Sequence, residues 1–203
     1  MDAERRRLVT QQAAVETKAT QSDQLPVTSE VLEEGWRRQR QLYRQQIPLI
    51  EARMQALVDE HPGLDRYYRL LTGIPGVGQV TAWLWLILFY GEKNLNPKKI
   101  ATRFGFAPHS CQSDSSVHGR TRSSGHGASQ MRQCMALAAR SASTHYQKFR
   151  IYKQRKLDEG KPWPVVRNNL INKLIKIMCA IWSSGQSYDP NHTSRFDRQK
   201  NAA

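Results

Sequence analysis

The chain reads as all-α, with a long helical, coiled-coil-like arm followed by a compact helical domain that contains a helix-hairpin-helix. Three observations predict this. No stretch alternates apolar and polar residues for long enough to make a half-buried strand. Apolar residues instead recur along Trp36, Tyr43, Ile47, Ile50, Met54 and Leu57, at alternating fours and threes after a first step of seven, and again at helical spacing along Met131 to Ala142 and Leu170 to Ile181. Glycine and proline then punctuate those runs at His61-Pro62-Gly63, Gly73 to Gly78, Asn96-Pro97 and Pro164.

Taken in order, residues 1–28 are rich in Gln, Thr and Ala and end in Gln24-Leu25-Pro26-Val27-Thr28, the composition of a helix stub and a linker. Residues 29–63 form the amphipathic arm, suited either to dimerisation or to a hairpin with the stub. Pro48 lies inside it and is expected to kink the helix or split it in two. Residues 64–190 make the compact domain, and 191–203 a disordered tail. Tyr67, Leu70 and Leu71 give the first helix of the hairpin its apolar face, and Val80 to Tyr90 gives a strongly apolar second helix. A short helix should follow Asn96-Pro97 with Ile100 and Phe104 inward. Residues 109–128 are rich in Ser, Gly, Arg and His and lack helical periodicity, and a loop of that length within a domain is functional or disordered. Met131, Cys134, Met135, Ala138 and Ala142 restore a helix face. Pro164 opens the last helix, in which Leu170, Leu174, Ile177, Met178 and Ile181 pack inward while Asn169, Asn172, Lys173 and Lys176 make a polar face that reads as solvated.

Charge points to the partner. The 31 Lys+Arg against 17 Asp+Glu leave +14 in 203 residues, with a pI near 10.1. Such an excess binds nucleic acid through counterion release, the alternatives being a basic soluble surface or an anionic membrane. The longest apolar run, Ala82 to Tyr90, is too short to span a bilayer, so no membrane partner is expected. Three cysteines without a CxxC pair fit a reducing cytoplasm. His109, Cys111, His118, His126 and Cys134 match no familiar zinc spacing, and the scattered acids Asp114, Asp158, Glu159 and Asp189 show no metal-site spacing. No metal is expected in this chain.

Two motifs carry chemistry. Gly73-Ile74-Pro75-Gly76-Val77-Gly78 places glycines where backbone amides at a helix N-terminus can approach a phosphate, which marks Gly73, Gly76, Val77 and Gly78 as candidate DNA contacts; a purely structural turn is the other reading. Further on, serines lie among Arg120, Arg122 and Arg132, a hydroxyl nucleophile with cations to stabilise charge on a phosphate. Ser110, Ser113, Ser115, Ser116, Ser123 and Ser124 all compete for that role, and a serine in such a loop is commonly a turn residue.

These residues carry a resemblance. Leu71-Thr72-Gly73-Ile74-Pro75-Gly76-Val77-Gly78 with Thr81-Ala82, then Phe104-Gly105-Phe106-Ala107-Pro108, Gln112-Ser113, Gly119-Arg120, Gly127 with Arg132, Ala138-Ala139 and Gly185-Gln186-Ser187-Tyr188-Asp189-Pro190, together resemble the C-terminal part of the insertion-sequence transposases related to the Piv DNA invertase. These are the DEDD-type recombinases, some of which use a bridge RNA. The resemblance implies that Ser113 is the nucleophile that forms a transient phosphoserine link to DNA. It departs from the family pattern at Asp114, where glycine is common, and at Gly125-His126-Gly127-Ala128, where a Lys-x-Gly-Asn turn is common.

The resemblance further implies an N-terminal RuvC-like domain whose four acidic residues bind magnesium, which the 203 residues do not contain. The expectation is therefore a truncated or split transposase of a mobile element, acting in DNA transposition and recombination. Strand transfer would require a separate RuvC-like chain to supply magnesium. DNA, a structured guide RNA and further copies of the chain are the expected partners. A stand-alone helix-hairpin-helix DNA-binding protein and an RNA-binding accessory protein without catalysis are the alternatives.

Overall fold

A computed structural model describes residues 1–22, 29–109, 122–123 and 128–192, with Pro108, His109, Arg122 and Ser123 as backbone only. These residues are helical apart from turns and one two-stranded ladder. The chain divides into two compact units, Met1–Asp65 and Arg66–Ala203.

The first unit is a hairpin of α1 (Asp2–Ser22) and α2 (Glu30–Asp59). Its helices pack together and run antiparallel, since Arg5 near the start of α1 meets Glu51 near the end of α2 while Glu16 meets Arg40. Leu8 and Val15 of α1 and Ile47, Met54 and Val58 of α2 are buried. Residues 2–22 are thus a full six-turn helix, longer than a stub. α2 runs unbroken through Pro48, so the expected split does not occur. A proline removes one N–H and leaves the carbonyl four residues earlier unpaired. Arg44 and Pro48 are both exposed, which puts that carbonyl on the solvent side where water can satisfy it.

The second unit contains most of α3 (Pro62–Thr72), then α4 (Gln79–Phe89), α5 (Pro97–Arg103), α6 (Ser129–His145), α7 (Gln147–Asp158) and α8 (Trp163–Ser184). α4 is apolar on nearly every side and is correspondingly enclosed, with Thr81 to Leu86 and Phe89 all buried. It packs on α6, which with α8 forms the middle of the core; α7 packs on both, and α5 on α8. Trp85, Phe89 and Phe104 form a chain of rings with centroids 4.6 and 6.3 Å apart. Tyr67 stacks on Trp182 at 4.1 Å, and the Trp182 indole donates to the Glu92 carbonyl at 2.8 Å, which ties α3 and the turn after α4 to α8.

Local signals account for the ends of several helices. Asn96 caps α5 by accepting from the amides of Lys98 and Lys99, with Pro97 in the first turn. Pro164 lies in the first turn of α8, and Gly185 ends it in the left-handed region at φ 65°.

Candidate nucleic-acid interface

The turn between α3 and α4 is built by its own residues. The Val77 amide donates to the Ile74 carbonyl at 3.0 Å, Pro75 occupies the second position and Gly76 the third with φ +81°. That is a type II turn, which needs proline's fixed φ and then glycine. Val77 and Ile74 are buried and anchor the turn in the core, while Gly73 and Gly78 are exposed.

The glycines serve different purposes. A Cβ on Gly76 would collide with the Ala138 carbonyl oxygen and lie 2.8 Å from the Ala142 amide nitrogen, so the close approach that this glycine permits is to the backbone of α6. Gly78 would meet nothing within 4 Å. It is the N-cap of α4 with extended geometry, φ −91° and ψ 174°, and no side chain caps the helix there. The first amides of an α-helix have no intrahelical partner and carry the positive end of its dipole. The start of α4 can therefore accept an anion at Gly78 and the residues after it.

The Ser/Arg loop is held at its base. β1 (Pro108–His109) and β2 (Arg122–Ser123) pair antiparallel, with Pro108 opposite Ser123 and His109 opposite Arg122. The backbones of His109 and Arg122 thus lie side by side. On the near side of β1, the Phe106 carbonyl accepts from Asn168 Nδ2 at 3.0 Å and Asn172 Nδ2 at 3.3 Å, both on α8. Asn172 also donates to the Asn168 carbonyl at 2.9 Å, which fixes the orientation of its amide. Asn168 was not among the residues singled out from sequence, and Asn172 belongs to this clamp as well as to a solvated face. The visible signal was only two asparagines four apart, which places them on one side of a helix.

Ser113 and Arg120 lie outside the described residues, and of Arg122 only the backbone in β2 is placed. Arg132 sits in the first turn of α6, partly exposed, just beyond the loop. Ala138 and Ala142, which receive Gly76, come six and ten residues later, roughly 9 and 15 Å along the axis at 1.5 Å per residue. One helix therefore carries both motifs at different levels. It does not bring Gly76 and Arg132 to one point.

Charge separates the two units. Of 31 Lys+Arg and 17 Asp+Glu, 9 and 11 precede Arg66, leaving 22 and 6 in the second unit. The hairpin is slightly acidic, and the whole basic excess resides with the turn and the loop. Among the described residues no three His, Cys, Asp or Glu side chains gather as a metal-ligand set. Cys134 and Cys179 are both buried, and burial pushes the Cys179 thiol up to about 12, which suits an inert core residue. No helix among the described residues is long and apolar enough to cross a membrane.

Comparison with curated proteins gives no match. Residues 68–154, spanning the end of α3, the turn, α4, α5, the loop, α6 and the first two turns of α7, match the model of the family described as Transposase IS116/IS110/IS902 family, and the second unit therefore carries a transposase-related region.

Proposed function

We propose that this chain is the DNA-binding and serine-nucleophile part of an insertion-sequence transposase of the DEDD type related to the Piv invertase, acting in DNA transposition. The observation that carries the reading is the family match over 68–154, which includes both the turn and the Ser/Arg loop. The charge of the second unit supports it independently. α3, the type II turn and α4 serve as a helix-hairpin-helix, whose amides from Gly78 onward contact DNA phosphate without reading base edges. Gly73, Gly76 and Val77 set the shape of that contact.

Ser113 is the nucleophile: its hydroxyl gives up its proton as the oxygen bonds to phosphorus, the bond from phosphorus to the sugar oxygen breaks, and that leaving oxygen takes up a proton to become a sugar hydroxyl. Arg120, Arg122 and Arg132 stabilise charge on the nonbridging oxygens. Magnesium is assigned to a RuvC-like acidic domain outside these 203 residues. α2 leaves Val31, Leu42 and Leu49 exposed at spacings of eleven and seven, within about 20° of one another around the helix, which supports a homo-oligomer through a coiled-coil arm. A structured guide RNA is a further partner of the same basic unit.

The test is a denaturing gel for a protein-DNA adduct, run with and without a complementing RuvC-like domain. An adduct is expected only with that domain and is lost in Ser113→Ala. An adduct that persists in Ser113→Ala moves the nucleophile to another serine, and one formed by the isolated chain removes the need for the second domain.

A further inference from the structure

α7 and α8 gather cations around two aromatic rings. The Tyr152 ring centroid lies 4.7 Å from Lys173 Nζ, 5.5 Å from Arg155 Cζ and 6.0 Å from Lys156 Nζ, and the Trp163 ring lies 5.3 Å from Lys153 Nζ. Lys173 comes from α8 and the other three cations from α7, so the packing of the two helices creates the cluster. Any two of the cations around Tyr152 are within about 12 Å, comparable to the ~10 Å Debye length at 0.1 M salt, so their repulsion is only partly screened. A basic face that is merely solvated gains by spreading its charges apart.

Residues 148–176 hold nine Lys+Arg and two Asp+Glu. Both carboxylates are engaged at the end of α7, Asp158 with Gln154 and Glu159 with Lys156 and Lys161. Hydrogen bonds from Lys156 and then Lys161 hold the Glu159 carboxyl below its ordinary range, so this local compensation is complete at neutral pH.

We propose that the α7–α8 face is a further nucleic-acid contact, a sequence-independent site for the phosphodiester backbone in which Tyr152 and Trp163 hold Lys173 and Lys153 for phosphate oxygens. The ring face attracts an ammonium group and narrows its range of orientations, so less freedom is lost when a phosphate is captured. The proposal rests on the nucleic-acid reading above but uses none of the hairpin residues. Most of the face, including Trp163 and Lys173, lies beyond the family match.

The experiment measures binding of the full chain to a 30-bp duplex DNA and, separately, to an RNA hairpin, across a salt series. Lys153→Gln/Lys173→Gln is compared with Arg37→Gln/Arg38→Gln, which removes the same charge from the first unit. The first pair should lower the log-log salt slope on duplex DNA by about 2, since each phosphate contact contributes about 0.9. The second pair should leave it unchanged. The probe showing the larger loss identifies DNA or RNA as the source of the backbone. Equal loss in both pairs, no change with Lys153→Gln/Lys173→Gln, or preference for phosphatidylserine vesicles over both nucleic acids would overturn the proposal. Gly78→Asp separates the two readings. A change in binding there with an unchanged Lys153/Lys173 variant leaves the hairpin contact and removes this one, and the reverse pattern leaves this site without the hairpin.

Discussion

Gly76 lies so close to Ala138 that a single added methyl group would overlap the Ala138 carbonyl oxygen, and the same glycine holds φ at +81°. The turn and the backbone of α6 thus meet closely, with the Ala142 methyl group beside the contact. Gly76→Ala suffers twice, from a left-handed conformation and from overpacking against atoms that belong to a helix backbone. A loss of roughly 2–4 kcal/mol is expected in urea denaturation. A loss within 0.5 kcal/mol, on the scale of ordinary surface changes, would mean that α6 shifts away freely.

The Phe106 carbonyl provides a second measurement. Phe106 is buried, and Asn168 and Asn172 both donate to its oxygen. Either asparagine alone still satisfies the carbonyl, so Asn168→Ala and Asn172→Ala should each cost about 0.5–1 kcal/mol. The double variant leaves a buried acceptor bare and should cost about 2–3 kcal/mol, more than the two singles together. Strict additivity would show that the two bonds act independently.

What could be read from sequence follows from how each element is stabilised. α4, α6 and α8 bury side chains of their own at helical spacing, and Met131, Cys134, Met135, Leu170, Leu174 and Met178 are buried as the periodicity indicates. α7 gave no signal, because Phe149 is its one buried residue and the rest is mostly charged and polar. Its position is set by the neighbours it packs on, α6 and α8. α1 was similarly understated: Leu8 and Val15 are seven apart among Gln, Thr and Ala, and only α2 makes them a core. At the candidate site, the turn was legible because proline and glycine encode it directly. The Asn168 and Asn172 clamp was not, since its acceptor is a backbone carbonyl 62 and 66 residues away. The role of Gly76 was equally hidden, because a sequence shows that a close approach is permitted without showing which backbone comes close.

Cys179 offers a pH test. Burial raises its thiol from an ordinary value of 9.0 to about 12, so the folded value lies above the unfolded one. The stability associated with the protonated thiol is full below about pH 9 and falls as pH rises toward 12, because the unfolded chain releases the proton first. Native protein at pH 8 should therefore leave Cys179 unmodified by iodoacetamide while urea-unfolded protein is alkylated there, as mass spectrometry of the peptide would show. Rapid native alkylation would contradict the burial.

Gly78 allows stability and binding to be pulled in opposite directions. It caps α4 with extended backbone and has open space where a side chain would go. Aspartate is a favoured N-cap and its charge suits the helix dipole, so Gly78→Asp should stabilise the fold by about 0.5–1 kcal/mol. The same carboxylate would occupy the amides proposed to receive a DNA phosphate and would repel it. Thermal denaturation should rise by a few degrees while affinity for duplex DNA falls severalfold at low salt. Because the variant is more stable, weaker binding cannot be assigned to unfolding. A stabilised Gly78→Asp protein that binds DNA as tightly as before would show that the start of α4 is a structural turn and makes no phosphate contact.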